Sequence, residues 1–413
     1  MSELNEKSTV VIVGAGQAGG EVAIELRKLG FAGRAVIVCE EAFLPYRRPP
    51  LSKAYLAGTA TEESLYLMQK PNLDKANIEF IGNTQVTRID RAAKRIEFAD
   101  GSGMAYDKLV LATGGRARPL SLPGADRPNV FPLRHIMHVQ GIRKYSAPGK
   151  RAVIIGGGFI GLEVAAVLCK LGLHVTVLEG LPRVLARVTV PEVSAFFERV
   201  HREAGVDLRT NVKIASFEGD PEVTHVLLED GTRIAADFIV IGIGLIPNTE
   251  LAQDAGLAVD NGIVVNEHTQ TSDPDIYAAG DCTNHPSAFF GRSIRLESVQ
   301  NAMEQARSTA RNLMGKREPY QMVPWFWSDQ YDLKLQMVGM SAGFDQFVTR
   351  GDLAAGRSFA VFYLKDGRII AADTVNHPQD FMFAKKLVAL RAPVDAAQLA
   401  DASVPLKTLV PAA

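Results

Sequence analysis

Residues 9–13, Thr-Val-Val-Ile-Val, form an apolar run with no polar alternation, the pattern of a strand buried on both faces. The run ends in Gly14-Ala15-Gly16-Gln17-Ala18-Gly19, and residues 21–29 then take up apolar positions at helical period. The same succession recurs from residue 152. Residues 152–155 are apolar, Gly156-Gly157-Gly158-Phe159-Ile160-Gly161 follows, and 162–171 return to helical spacing. Each copy then has a second apolar strand, 35–39 and 174–178, that stops at an acidic residue, Glu40 and Glu179. Each also closes on a similar strand, 109–115 in the first copy and 238–244 in the second. A repeated strand, glycine turn and helix implies two nucleotide-binding units of α/β type.

Beyond the second copy the pattern changes. Hairpin-like pieces surround Asp260-Asn261-Gly262, and residues 297–313 read as a helix that rejoins the first unit. After Pro324-Trp325-Phe326-Trp327, residues 359–364 read as a strand, Lys365-Asp366-Gly367 makes a turn, 369–375 form another strand, and helix follows near 381–389. The expected architecture is two Rossmann-like dinucleotide-binding domains and a small C-terminal α+β domain. The first is discontinuous, 1–115 and 245–325; the second is 116–244; the third is 326–413.

Composition narrows the function without naming it. In a chain of 413 residues, 45 Lys and Arg nearly balance 46 Asp and Glu, which gives no support for a nucleic-acid or membrane-surface partner. Apolar runs are broken by glycine or proline well short of the ~20 residues a membrane span needs, so a cytoplasmic location is expected. Cys39, Cys169 and Cys282 lie far apart with no C-x-x-C, so neither a disulfide framework, a metal cluster nor a dithiol relay is expected. No two histidines stand at metal-ligand spacing with carboxylates on one helix, so His135, His138 and His377 read as ordinary hydrogen-bonded or solvated groups.

One glycine triplet is weak evidence, but here it occurs twice in the right context. In each copy the first glycine (Gly14, Gly156) permits the tight turn. The second (Gly16, Gly158) lets backbone approach a pyrophosphate, and the third (Gly19, Gly161) lets helix and strand pack closely. Glu40 and Glu179 stand where a carboxylate accepts hydrogen bonds from ribose hydroxyls; a solvated strand-end charge is the plainer alternative. Ala112 and Thr113, and Gly244 in the second copy, are further candidate contacts on the closing strands. Thr271-Ser272-Asp273-Pro274-Asp275-Ile276-Tyr277-Ala278-Ala279-Gly280-Asp281 resembles the segment by which glutathione-reductase-like flavoproteins present an Asp to the FAD ribitol chain. Since this segment returns to the first unit, that unit is expected to bind FAD and the second a nicotinamide nucleotide. The acidic Glu179 repels a 2′-phosphate and favours NADH, although Arg183 and Arg187 stand nearby.

Three further segments, Leu44-Pro45-Tyr46-Arg47-Arg48-Pro49-Pro50-Leu51-Ser52-Lys53-Ala54-Tyr55-Leu56, Glu297-Ser298-Val299-Gln300-Asn301-Ala302 and Pro324-Trp325-Phe326-Trp327-Ser328-Asp329-Gln330, resemble the oxygenase-coupled ferredoxin reductases over nearly the whole chain. The resemblance implies Lys53 beside the flavin and paired with Glu163. It implies Arg134 at the FAD phosphates, backbone contacts from Ala18 and Val86, Val299 near the pyrimidine edge, and Trp327 between the flavin and a docked ferredoxin. Read without it, Lys53 is a solvated lysine and Glu163 a first-turn carboxylate favoured by the helix dipole. Trp325 and Trp327 are spaced to share one side of a strand, as a core pair also would be. The helix carrying Glu304, Arg307 and Arg311 offers either a docking surface or plain solvated charges.

The function these readings imply is FAD-dependent transfer from NADH to a 2Fe-2S ferredoxin that supplies a haem-thiolate monooxygenase, by a monomer or weak homodimer. Two rivals stand beside it. One is the reductase of an aromatic-ring dioxygenase with a Rieske-type ferredoxin; the other is an NADH-sensing flavoprotein resembling apoptosis-inducing factor.

Overall fold

A computed structural model describes residues 4–411. The chain divides into two compact units. One comprises the chain through Arg48, Thr61–Arg116 and Leu245–Met322; the other comprises Pro49–Ala60, Ala117–Gly244 and the chain from Val323 on.

The first unit is built on a five-stranded parallel sheet in the spatial order Ile276–Ala278, Lys108–Leu111, Thr9–Val13, Arg34–Val38, Ile78–Ile81. The first strand in sequence therefore lies in the middle, with Val13 opposite Val38 on one side and Leu111 on the other. At that point the chain's crossovers change direction, so the end of the Thr9–Val13 strand opens onto the crevice where such sheets take their ligands. Both faces of the sheet are buried, which is why its strands read as unbroken apolar runs. Val10 and Ile12 pack on one side with Val22 and Leu26 of the Gln17–Lys28 helix and Ala302, Ala306 and Ala310 of the Val299–Leu313 helix. Val11 and Val13 pack on the other with Ile89, Ile96 and Leu257. At roughly 1.5–3 kcal/mol for each large apolar side chain removed from water, these two layers hold the glycine turn in place.

The second unit repeats the scheme. Its parallel sheet runs Asp207–Arg209, His174–Leu178, Arg151–Ile155, Phe238–Ile241, Val130–Pro132, again with the first repeat strand central. The same unit carries an antiparallel sheet in the order Trp325–Gln330, Leu333–Gly339, Arg368–Val375, Phe359–Lys365, Gln346–Gly351, against which the Pro378–Ala389 helix packs. The expected class, two Rossmann-like units with a C-terminal α+β part, describes what is observed.

Two local readings change. The helices begin at Gln17 and Phe159, inside the glycine motifs and several residues before the apolar periodicity starts. Glycine is a poor helix former, but here close packing of Gly19 and Gly161 against the preceding turn overrides that preference. Around Asp260-Asn261-Gly262 only a single antiparallel bridge, Val259 to Ile263, forms. Ile263–Val264 then pairs in parallel with Thr283–Ser287, so the turn opens a crossover rather than a full hairpin.

Candidate active site

The two glycine turns share one geometry. Gly14 sits at φ +110° and Gly156 at +108°, left-handed values that favour glycine, and a Cβ on either would fall within 2.5 Å of the carbonyl oxygen of the residue that follows the closing strand, Ala112 or Gly242. The third glycines are closed as well: a Cβ on Gly19 would stand 1.9 Å from the Gly14 oxygen, and one on Gly161 2.0 Å from that of Gly156. The second glycines differ. Gly16 and Gly158 have ordinary extended backbone, φ −79° and −81°, and a Cβ on either would meet nothing within 4 Å. Protein packing thus explains the first and third glycines of each turn and leaves the second facing open space at a helix N-terminus. Neither helix has a side-chain cap or an acidic residue in its first turn. Uncapped N–H groups, the positive end of a helix dipole and bare backbone together fit a pyrophosphate. The residues present therefore fit the pyrophosphate of a dinucleotide at each of the two turns.

Around the first turn, Gly280 at φ +90° brings the Asp281 segment against Ala18, whose Cβ would lie 3.0 Å from one built on Gly280. The buried Gln305 side chain fixes this segment by accepting the Gly280 N–H at 2.8 Å and the Thr283 hydroxyl at 2.9 Å. Thr113 and Asn248 are linked twice, the Thr113 hydroxyl donating to the Asn248 carbonyl at 2.6 Å and the Asn248 amide to the Thr113 carbonyl at 3.0 Å. Ala112 is buried beside them. Val299 opens a helix whose N-cap Ser298 accepts the Asn301 N–H. Val86 pairs with Phe98 on a separate three-stranded sheet of the same unit. Glu40 is exposed at its strand end. The neighbouring Glu41 is the carboxylate in use here, accepting from the Tyr46 hydroxyl at 2.7 Å and from Arg48 at 2.9 Å. Burial works against the Arg48 charge, but Tyr46, Glu41 and Asp281 more than offset it and raise its proton affinity.

Around the second turn, the Glu179 carboxylate accepts the Gly157 N–H at 2.6 Å and the Leu181 N–H at 2.7 Å, which anchors it to the rim of the turn. Arg183 donates to Ser194 Oγ at 2.6 Å and to the Ala186 carbonyl at 3.0 Å, so its guanidinium is engaged within the protein. Gly244 lies three residues past the closing strand Phe238–Ile241, at φ +109°, with Arg187 3.9 Å from its Cβ position. The Arg134 backbone N–H donates to His138 Nδ1 at 3.2 Å.

Lys53 and Glu163 meet in this unit, Nζ to Oε2 at 2.6 Å. Glu163 is the fifth residue of the Phe159–Lys170 helix and is 3% exposed, so it is no first-turn surface carboxylate. Two serines complete its shell: Ser52 Oγ donates to Oε2 at 2.5 Å and Ser328 Oγ to Oε1 at 2.6 Å. Trp325 and Trp327 do share one side of the Trp325–Gln330 strand, with ring centroids 5.6 Å apart, and Lys385 lies over the Trp325 ring. Arg307 is paired with Glu304 and Arg311 with Glu318, so these arginines are compensated in place. Cys39 and Cys282 are buried and burial pushes both thiols up, away from the thiolate a redox relay uses.

The pyridine nucleotide-disulphide oxidoreductase family model matches residues 8–306, and a reductase C-terminal model matches 325–410. The chain belongs to this family. Within it, the chain is 50% identical to putidaredoxin reductase CamA of Pseudomonas putida, covering 99% of this chain and 98% of that protein. It is 44% identical to the 5,5'-dehydrodivanillate O-demethylase ferredoxin reductase subunit of Sphingobium sp., over 97% and 98% of the two chains. Among solved structures, the covalent putidaredoxin reductase–putidaredoxin complex superposes with a TM-score of 0.96 at 50% identity, covering 98% of this chain and 99% of that one. The chain is accordingly an FAD-dependent oxidoreductase of the oxygenase-system ferredoxin reductases, working with NAD(H).

Ser52 and Ser328 lie inside segments that carry the family resemblance, but their sequence context does not mark either as a functional residue. Nothing in a linear sequence says that two serines 276 positions apart converge on one carboxylate. Among the described residues no helix is long and apolar enough to cross a membrane, and no cluster of three or more His, Cys, Asp or Glu is arranged to hold a metal.

Proposed function

We propose that this chain is an NADH:ferredoxin oxidoreductase whose 2Fe-2S ferredoxin serves a haem-thiolate monooxygenase, acting in the cytoplasm as a monomer or weak homodimer. The observation that carries this reading is the pair of matched glycine turns, each with its second glycine bare. It agrees with the relative and the complex named for putidaredoxin. Bound FAD supplies the change from two-electron to one-electron chemistry, since an iron–sulfur cluster takes one electron at a time. The protein's own part is to hold, orient and bias. Gly14, Gly16, Ala18 and Gly19 cradle the FAD pyrophosphate, with Glu40, Val86, Ala112, Thr113, Arg134, Asp281 and Val299 as its further contacts. Gly156, Gly158, Gly161, Glu179 and Gly244 do the same for NADH. Lys53, oriented by Glu163, sets positive charge at the flavin, and Trp327 lies toward the ferredoxin. In this reading 1–115 with 245–325 is the flavin part, 116–244 the nicotinamide part and 326–413 the C-terminal part.

The test is to titrate the yellow holoenzyme with NADH and NADPH and then measure turnover with a ferredoxin of each type. Rapid reduction by NADH, and turnover with the 2Fe-2S ferredoxin of a haem-thiolate system, are expected. A preference for NADPH, or a reduced flavin that passes electrons to neither ferredoxin, would refute the reading. The same turnover comparison separates a second reading, the reductase of an aromatic-ring dioxygenase with a Rieske-type ferredoxin.

A further inference from the structure

The shell of Glu163 continues past Ser328. Gln330 Nε2 donates to Ser328 Oγ at 3.2 Å, Gln330 Oε1 faces His201 Nε2 at 2.9 Å, and His201 Nδ1 faces the Tyr331 hydroxyl at 3.1 Å. Ser328, Gln330 and His201 are all essentially buried, at 0%, 1% and 0% exposure. The directions of these bonds are fixed by chemistry. Since Glu163 accepts from Ser328, the Ser328 hydroxyl oxygen is left to receive the Gln330 amide. The Gln330 carbonyl then requires an N–H at His201 Nε2, which leaves Nδ1 to accept from Tyr331. Every donor in the row points toward the Glu163 carboxylate.

Two periodicities make the row possible. Phe159 and Glu163 are four residues apart on one helix face, about 6 Å along its axis, and Phe326 and Ser328 are two apart on one strand face, about 6.6 Å. The spacings match, so Phe326 stacks on Phe159 with centroids 4.7 Å apart while Ser328 meets Glu163. The opposite face of the same strand carries Trp325 and Trp327. A proton wire would also use aligned donors, but the Gln330 amide in the middle has no titrating proton to pass on. The row orients and does not conduct.

We propose that Ser328, held by Gln330 and His201, is a positioning residue that draws on the charge of Glu163 from the side opposite Lys53, and so sets how much of the Lys53 positive charge is left to act on the flavin. The inference rests on the proposed place of Lys53 beside the flavin. Ser52 and Ser328 each share the carboxylate's negative charge; when one is removed, more of that charge falls on Lys53 and the field favouring the anionic reduced ring weakens.

The experiment measures the two-electron midpoint potential of the flavin in the holoenzyme by dye equilibration, for wild type, Ser328→Ala, Ser328→Thr, Glu163→Gln and the double variant Ser328→Ala/Glu163→Gln. The expected result for Ser328→Ala is a roughly tenfold less favourable reduction equilibrium, about 30 mV lower for a two-electron couple. Ser328→Thr keeps the hydroxyl and is expected to keep the wild-type potential. In the Glu163→Gln background, Ser328→Ala is expected to add nothing, because its action passes through the carboxylate. An unchanged potential in Ser328→Ala, or an equal shift with and without Glu163, overturns the positioning role. A Glu163→Gln enzyme with the wild-type potential would instead overturn the underlying assignment of the Lys53–Glu163 pair to the flavin. Should Ser328→Ala not fold, Gln330→Met removes the donor that orients Ser328 and is expected to shift the potential in the same direction by less. No shift there refutes the row.

Discussion

Replacing Gly158 with Ala separates binding from folding at a single atom. The added Cβ meets nothing within 4 Å of protein, and φ −81° suits alanine, so no clash follows. Two small effects on stability oppose each other. Removing a glycine's freedom from the unfolded chain stabilises by about 0.4–1 kcal/mol, while alanine is a poorer N-cap than glycine by roughly 0.5–1 kcal/mol. The net change is within about 0.5 kcal/mol, a melting shift of under ~2 °C for a domain of this size. The methyl group, however, occupies the space a pyrophosphate needs to reach the helix N-terminus. Loss of one charge-assisted hydrogen bond there costs about 1.5–3 kcal/mol, which at ~1.4 kcal/mol per decade is roughly a 10- to 100-fold rise in the NADH concentration needed to half-saturate flavin reduction. The assay is stopped-flow reduction across an NADH series beside a thermal melt of the same preparation. Gly161→Ala is the control, because its Cβ would stand 2.0 Å from the Gly156 oxygen and is expected to destabilise the fold itself. An unchanged NADH dependence in Gly158→Ala, or a melting loss as large as that of Gly161→Ala, would refute the claim that the second glycine faces a ligand.

Lys53→Met leaves Glu163 buried with two serine donors but no cation, and is expected to cost about 3 kcal/mol, the lower end for breaking a buried pair; an unaltered urea midpoint would contradict this. Asp373 is 2% exposed and accepts from Tyr363 at 2.5 Å and Thr189 at 2.8 Å, yet burial pushes its carboxyl from 3.8 up to about 7. The native chain thus keeps a proton the unfolded chain releases, so this group's contribution is fully present below pH 3.8 and is lost as pH rises to about 7, by about 4 kcal/mol at ~1.36 kcal/mol per unit. Asp373→Asn should lack that fall and be the more stable protein above pH 7; parallel urea midpoints for the two proteins across pH 4–8 would sink the argument. Trp327→Ala is expected to leave reduction of the flavin by NADH intact and slow ferredoxin reduction about tenfold, equivalent to ~1.4 kcal/mol. Loss of the first reaction without the second contradicts the place given to Trp327.

The parts of the molecule that were legible in sequence are those whose physics is local. The Thr9–Val13 and Arg151–Ile155 strands are buried on both faces, so their apolar runs announce them. The glycine turns need positive φ at Gly14 and Gly156, and glycine is the residue that supplies it without strain. The tryptophan pair followed from the two-residue period of a strand. Legibility stopped where geometry depends on distant segments. Glu40 and Glu179 look equivalent as strand-end carboxylates, but Glu179 is tied to the Gly157 and Leu181 N–H groups while Glu40 is exposed and its neighbour Glu41 takes Arg48 and Tyr46. The difference lies in where each following loop turns, which strand patterning does not encode.

Glu163 shows why such a site hides. Its helix position suggests a dipole-stabilised surface charge, and only the arrival of Ser52-Lys53 from one segment and Ser328 from another turns it into a buried acceptor with three donors. A buried carboxylate is costly unless paired and hydrogen-bonded, so the position is tolerable only because all three partners arrive together. That mutual dependence is itself informative. Hydrophobic patterning would place an apolar residue at 163, between the buried Leu162 and Val164 of a helix that is apolar through most of its length. A glutamate kept there against the packing pattern, and satisfied by groups drawn from two remote segments, marks a position where local rules for a stable core are overridden, as they are at sites of function.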